Sequence, residues 1–116
     1  MNQERVYRTL VNFGLTRTDA KVYIYLAKRG SRKGKDLCNS LKMQKQQLYP
    51  SLKNLQKKGV VNASCNRPAL FCALPFEKVL ELIIEVNKEK AKALQASKEE
   101  LLSSWRSLTE KDDEKS

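Results

Sequence analysis

The chain has 116 residues, 41% of them hydrophobic and 31% charged, which is enough for one domain with a modest core beneath a charged surface. Its net charge is +10, and no apolar run approaches the ~20 residues that a membrane-spanning helix needs. No signal peptide opens the sequence either. We therefore expect a soluble cytoplasmic protein with no membrane association.

The composition also argues against catalysis and metal binding. There is no histidine, and Cys38, Cys65 and Cys72 fit no C-x-x-C pattern, so the usual zinc sites are not expected. The four glycines are dispersed, which excludes a phosphate-cradling loop. We predict no cofactor and no enzymatic activity. A disulfide or redox switch between Cys65 and Cys72 stays open as an alternative to two inert thiols.

The excess of positive over negative charge is confined to one part of the chain. Residues 1–74 contain 15 Lys/Arg and 3 Asp/Glu, a net charge of +12, whereas residues 75–116 contain 8 and 10, a net charge of −2. This split is typical of a protein whose first two-thirds bind a polyanion.

Two helices are predicted at the start. The first covers Arg5 to Phe13 and ends at Gly14. The second begins after Thr16, which forms a capping-box pattern with Asp19, and ends at Gly30. A short basic segment follows with Arg32, Lys33 and Lys35, and then a short helix over residues 36–41. Basic side chains beside a helix N-terminus are suited to phosphate groups.

The segment from Gln44 to Val61 is predicted to be an amphipathic helix that ends near Gly59. Leu48, Leu52 and Leu55 recur on one face. The opposite face carries amides, bases and one proline, with no carboxylate in the segment: Gln46, Pro50, Lys53, Asn54 and Lys57. Such a face suits base edges in a DNA groove, although a solvated surface helix is the alternative. The preceding short helix and this one together make a helix-turn-helix.

A β-hairpin is predicted directly after this helix. Residues 60–65 and 69–74 have strand-forming composition and are separated by Asn66-Arg67-Pro68. The hairpin extends the helix-turn-helix to a winged helix, and Arg67 at its tip could reach an adjacent minor groove. An ordinary solvated turn residue is the alternative for Arg67.

The last third is predicted to be one long helix without glycine or proline from Phe76 to Leu108. Alternating spacings of four and three residues trace a coiled-coil seam. Its members are Leu80, Ile84, Asn87, Ala91, Leu94, Lys98, Leu101, Trp105 and Leu108. A helix of ~33 residues is about 50 Å long, too long for the first domain to cover, so a second copy of the chain is the expected partner. The alternative is a helix that folds back on its own domain, and a parallel or antiparallel pairing stays open.

Several stretches together resemble the TrmB-like family of winged-helix transcription regulators, known best from archaea. The resemblance covers residues 8–80 and rests on Gly14-Leu15-Thr16, Asp19 to Tyr23 with Leu26, Leu48-Tyr49 with Leu52 and Leu55, Lys57 to Val61, Arg67-Pro68 and Ala73-Leu74-Pro75. It implies a dimeric DNA-binding repressor or activator. It also implies that Lys45, Gln46, Gln47, Ser51 and Asn54 read the major groove while Arg67 lies on the wing.

Three features depart from the family pattern. Full-length members carry a large C-terminal sugar-binding domain, and this sequence ends at residue 116 without one, so sugar sensing is not carried over. Lys42 stands where a small residue or glycine is usual, and Pro50 where an acidic or polar one is common. Because proline removes a helical hydrogen bond, the helix either starts late or is kinked, and the phase of Leu48 with Leu52 favours a kink.

The sequence thus predicts a mainly α protein with a small β-hairpin wing. Residues 1–74 would form a winged helix, residues 75–108 a long coiled-coil-like dimerisation helix, and residues 109–116 a disordered charged tail. The predicted function is sequence-specific regulation of transcription by a homodimer that binds double-stranded DNA, and no small-molecule effector is identified. A winged-helix protein–protein interaction module of the transcription machinery is the alternative, and a small redox enzyme is a third.

Overall fold

The computed structural model describes residues 2–115, which form helices around a small sheet. The helices are α1 (Asn2–Asn12), α2 (Arg17–Arg29), α3 (Gly34–Leu41), α4 (Lys45–Lys57), α5 (Phe76–Ala96) and α6 (Lys98–Lys115), and the strands are β1 (Arg32–Lys33), β2 (Val61–Ala63) and β3 (Leu70–Ala73). This confirms the predicted mainly helical winged-helix fold. The helix that was predicted over residues 44–58 corresponds to α4.

The core lies between α2, α4 and the sheet. Helix α2 buries Val22, Tyr23 and Leu26, and the first turn of α5 adds Val79, which is fully buried. The other buried apolar side chains are Leu10, Leu15, Ala20, Leu37, Met43, Leu48, Leu52, Leu55, Val60, Val61 and Phe71. The Tyr23 hydroxyl donates a 2.5 Å hydrogen bond to the Leu74 carbonyl, and burial raises the pKa of Tyr23 to about 12.

Helix α2 begins and ends as its sequence predicts. The Thr16 hydroxyl accepts from the Asp19 amide, and the Asp19 carboxylate accepts from the Thr16 amide, both at 3.0 Å. This is a capping box with aspartate at its third helical position. Gly30 then ends the helix at φ 88°, a conformation that favours glycine.

The wing has one more strand than the sequence predicts. Strands β2 and β3 form the expected hairpin, with Asn62 paired with Cys72, and the Arg67–Pro68 peptide bond in the connection is cis. Strand β1 pairs with the other edge of β3 through Arg32 and Phe71, so the antiparallel order is β1-β3-β2. The basic segment before α3 is therefore held by main-chain hydrogen bonds to the wing.

The chain divides into two compact units, one that ends at Leu80 and one that starts at Glu81. The first extends past the predicted boundary at residue 74 because Val79, at the start of α5, belongs to its core. In the second unit, Ser97 separates α5 from α6, where a single uninterrupted helix was predicted. The Ser97 hydroxyl bonds back to the Ala93 carbonyl at 3.0 Å, an arrangement that often bends helices.

Helix α6 runs further than the predicted end at Leu108. The tail predicted to be disordered, residues 109–116, is helical up to Lys115, and Ser116 lies outside the described residues. Within residues 2–115, no helix combines the length and the apolar character needed to cross a membrane.

Candidate nucleic-acid interface

Helix α4 has one face in the core and one in solvent. Leu48, Leu52 and Leu55 are each at most 1% exposed, so the predicted apolar stripe fixes the rotation of the helix. The outer face is left with Lys45, Gln46, Gln47, Tyr49, Pro50, Lys53, Gln56 and Lys57, all of them exposed. This outer face carries three ammonium groups and no carboxylate.

Pro50 lies inside α4 rather than at its first turn. The helix begins at Lys45, after Gln44 in an extended conformation, so the late start that would have placed Pro50 in the first turn is wrong. Proline has no amide hydrogen, which leaves the Gln46 carbonyl without its helical donor. Pro50 is exposed, so solvent or a ligand can reach that carbonyl.

The inner edge of α4 is tied to α2 through Asp19. The Asn54 amide nitrogen donates a 2.6 Å hydrogen bond to the Asp19 carboxylate, and the buried Ser51 hydroxyl bonds to it as well. Burial raises the pKa of Asp19, but the bonds from Ser51, Thr16 and Asn54 outweigh it, so the pKa lies below its ordinary value. Asp19 therefore serves both as helix cap and as anchor of α4.

This network changes the positions of two predicted base-reading residues. Ser51 is 6% exposed and lies on the inner face, so it is not on the surface where the family resemblance placed it. Asn54 is half-buried and was predicted on the outer face, but its amide nitrogen is bound to Asp19. The sequence pattern missed this because polar residues at the edge of an apolar stripe look the same whether they bond inward or to solvent.

The other predicted DNA-contacting residues are accessible, with one partial exception. Arg32 is half-buried in β1 and donates to the neighbouring Ser31 carbonyl at 2.9 Å. The exposed members are Lys33, Lys35, Lys45, Gln46, Gln47, Lys53, Lys57 and Arg67. Most belong to the start of α3 or to the outer face of α4, and Arg67 lies at the tip of the wing.

A groove of about 560 Å³ joins three of these elements. It is lined by Lys33, Gly34, Lys35, Lys45, Tyr49, Pro68, Ala69 and Phe71. The start of α3, the first turns of α4 and the wing thus share one basic surface, which the fold assembles from segments that are distant in sequence.

A known protein family matches the part of the chain that forms this surface. The profile of the family described as "Sugar-specific transcriptional regulator TrmB" matches residues 10–77, which is more than half of the chain. The chain belongs to the TrmB family. The matched residues run from the end of α1 through the wing to the first turn of α5, and so include all of the basic surface.

A curated relative of this TrmB-family chain is also a transcription regulator and not an enzyme. The chain is 32% identical over 85 residues to the HTH-type sugar sensing transcriptional regulator TrmBL1 of Pyrococcus furiosus, an alignment that covers 73% of this chain. The alignment covers 25% of that relative, so the chain spans about a quarter of its length.

Two solved structures share the fold. TrmBL2, described as an archaeal chromatin protein with a novel mode of DNA binding, superposes with a TM-score of 0.70 at 27% identity, over 89% of this chain and 42% of that one. The ST1889 protein of the thermoacidophilic archaeon Sulfolobus tokodaii superposes with a TM-score of 0.66 at 20% identity, over 80% of this chain and 98% of that one.

In this TrmB-family chain, Tyr49 is a candidate site residue that was not predicted from the sequence pattern. Tyr49 entered only through the family resemblance, yet it lies on the outer face, 43% exposed, and lines the groove. Its spacing of four residues from both Lys45 and Lys53 could have identified it, since such residues share a helix face.

The predicted coiled-coil seam is exposed throughout. Ile84 is 55% exposed, Leu94 64% and Trp105 61%. The remaining predicted interface residues, Leu80, Asn87, Ala91, Leu101 and Leu108, are exposed as well, as is Lys98 on the same seam.

The wing cysteines do not pair across the hairpin. Cys72 pairs with Asn62, and Cys65 lies beyond the end of β2 in the connection to β3. All three cysteines are free, and no cluster of ligand side chains in the described part of the chain could hold a metal ion.

Proposed function

We propose that this TrmB-family chain is a sequence-specific DNA-binding regulator of transcription that acts as a homodimer. Residues 44–58, which include α4, enter the major groove, and the wing, residues 62–70, lies on the adjacent backbone or minor groove. Its place of action is then the cytoplasm, on chromosomal DNA.

The outer face of α4 is the observation that carries this proposal. Gln46 and Gln47 lie in its first turn, and among the described residues their side-chain amides have no hydrogen-bond partner within the chain. A glutamine can donate to and accept from one adenine in the major groove, which gives sequence readout. The lysines on the same helix and at the start of α3 add phosphate contacts, which give affinity without sequence preference.

The homodimer is supported by the exposed seam. A row of side chains such as Leu94, Leu101 and Trp105, each more than half exposed, is unfavourable in water. A second copy has the same row, and pairing of the two copies removes both rows from water. Such a dimer presents two recognition helices, so we expect two half-sites whose spacing is about 34 Å or a multiple of it.

The first experiment measures binding to DNA against salt. Fluorescence anisotropy with promoter and random duplexes, from low to physiological salt, should show affinity that falls steeply, with a slope of about −0.9 for each phosphate neutralised. The absence of binding at low salt would leave the protein–protein interaction module as the better explanation of the fold.

The second experiment selects bound sequences from a random DNA pool. A repeated half-site with fixed spacing is the expected result. A pool that stays random while binding remains tight would instead indicate sequence-independent binding to DNA. The structural relative TrmBL2 is described as a chromatin protein.

A further inference from the structure

The groove between α3, α4 and the wing contains an aromatic hydroxyl held in a fixed place. The Tyr49 ring meets Phe71 edge-on, with ring centroids 6.4 Å apart and an interplanar angle of 75°. Phe71 is buried in β3 and belongs to the core of the domain. The inner part of the Tyr49 side chain is therefore positioned by the core of the domain.

The other end of Tyr49 lies against the first residue of α3. A Cβ atom built on Gly34 would collide with the Tyr49 hydroxyl, so only glycine leaves room for the phenol there. Gly34 itself is buried, although both of its neighbours are exposed. The ring is thus confined between Phe71 and Gly34, and its hydroxyl is directed to one point.

That point is cationic and has no internal acceptor for the phenol. Among the described residues, the Tyr49 hydroxyl has no hydrogen-bond partner, and the groove lining contains Lys33, Lys35 and Lys45 but no carboxylate. A phenolic donor surrounded by three ammonium groups is complementary to an oxyanion.

We propose that this groove holds one phosphodiester of the bound DNA, and that the Tyr49 hydroxyl donates a hydrogen bond to it. The inference rests on the proposed DNA-binding function and adds a positioning residue to it. A phosphate contact fixes the register of a protein on the duplex. Because Tyr49 is one helical turn from Lys45, the contact sets how deeply Gln46 and Gln47 enter the major groove of the DNA.

The variant Tyr49→Phe tests the hydroxyl alone. Its thermal stability should match the wild type, because the hydroxyl has no partner in the free chain. Its affinity should fall about tenfold on every DNA sequence, the size expected for one lost hydrogen bond to a charged group.

The salt slope of Tyr49→Phe should not change, since no cation is removed, whereas Lys45→Ala should reduce the slope by about 0.9. Tyr7→Phe, which alters an α1 tyrosine outside the groove, is the matched control and should bind as the wild type does.

A second experiment locates the phosphate. In a series of duplexes each phosphodiester in turn is replaced by a neutral methylphosphonate. The replacement should weaken wild-type binding at every contacted phosphate. At the phosphate held by the groove, and at no other, Tyr49→Phe should have no additional effect. Gly34→Ala should reproduce the loss seen with Tyr49→Phe, because the added methyl group displaces the hydroxyl without changing Tyr49.

Three results would overturn the inference while leaving the proposed function intact. DNA binding by Tyr49→Phe that equals that of the wild type would make the ring purely structural. A changed operator preference in Tyr49→Phe would mean that the hydroxyl contacts a base. If millimolar inorganic phosphate raises the melting temperature of the wild type but not of Tyr49→Phe, while both proteins bind DNA equally, the groove serves a free anion and not the DNA. Failure of the wild type to bind any DNA would instead reject the proposed function.

Discussion

The two compact units of the chain differ in the exposure of their apolar side chains. Up to Leu80, side chains such as Leu10, Leu37 and Leu48 are fully buried. Beyond it, Leu94, Trp105 and Leu108 are each more than 60% exposed, although their residue types are as hydrophobic. The first unit completes a core of its own, whereas the second leaves its apolar row exposed, and under the proposed function a second copy of the chain covers that row.

The charges divide in a similar way. Residues 1–74 carry a net charge of +12 and residues 75–116 a net charge of −2. Two copies of the first segment would repel each other, while two copies of the second can approach closely. Under the proposed function, residues 1–74 face DNA and residues 75–116 face a second copy of the chain, and each of the following predictions acts on one of these two parts.

The largest effect is expected from charges on the seam. Leu94→Asp combined with Leu101→Asp should halve the mass measured by light scattering, because four carboxylates would lie in the dimer interface. Binding to a two-half-site operator should weaken at least about 100-fold, since the second half-site no longer adds its binding energy. The first unit should keep its fold.

Ala96→Asp with Ser103→Asp is the control for the seam. Both residues are exposed on the opposite side of the helices and receive the same charge change. This variant should stay dimeric. Equal dissociation of the two double variants, or a wild type that is already monomeric, would contradict the assignment of the interface.

Loss of base readout should have the next largest effect. Gln46→Ala and Gln47→Ala should each relax discrimination between operator and random DNA by about 1–3 kcal/mol, because each removes one bidentate contact to a base. Competition binding measures this ratio. Gln56→Ala, near the other end of α4, should leave it unchanged, and equal effects at all three positions would mean that the wrong part of the helix has been assigned.

Asp19 should link stability to pH. Asp19→Asn should lower the free energy of unfolding by about 1–3 kcal/mol, because Ser51, Asn54 and the Thr16 amide lose a charged acceptor. The pKa of Asp19 is lowered in the folded chain, so its contribution is present above the unfolded value of about 3.9 and is lost as the pH falls through the folded value.

Urea unfolding at neutral pH and below about pH 4 measures both effects. The difference between wild type and Asp19→Asn should shrink at the lower pH. Glu85→Gln, an exposed residue on α5 with the same charge change, should show little difference at either pH. A difference that is independent of pH would mean that packing, and not the carboxylate charge, ties α2 to α4.

The smallest effect is expected at the turn between α3 and α4. Lys42 ends α3 in the left-handed conformation, at φ 54° and ψ 47°, where a non-glycine residue is disfavoured by about 1 kcal/mol. Lys42→Gly should therefore raise the urea midpoint slightly. Lys42→Ala keeps the strain, removes the same charge and should give no such gain; if both variants behave alike, the charge of Lys42 is what matters.

Periodicity predicted the main elements of the fold because burial follows it closely. Leu48, Leu52 and Leu55 required one face of α4 to be buried, and the capping box of α2 is complete within its own sequence. Strand β1 was missed because two residues have no period, and its pairing with β3 depends on a segment some forty residues away. The interruption at Ser97 was missed because one serine is compatible with a helix.

The residue types of the candidate site could be predicted from the sequence, but the direction in which each side chain points could not. The absence of carboxylates on α4 identified its outer face, while the inward bonds of Ser51 and Asn54 depend on Asp19, which lies in another helix. The position of Tyr49 against Gly34 could not be read from either segment alone. Contacts between distant segments are what local sequence patterns leave undetermined.

The outer face of α4 has a consequence for how such regulators diverge. Lys45, Gln46, Gln47 and Lys53 are exposed and, among the described residues, have no side-chain hydrogen bond or ion pair within the chain. Exchanges at these positions leave the free energy of unfolding almost unchanged. Duplicated genes could therefore acquire new operator preferences one substitution at a time without passing through an unstable intermediate.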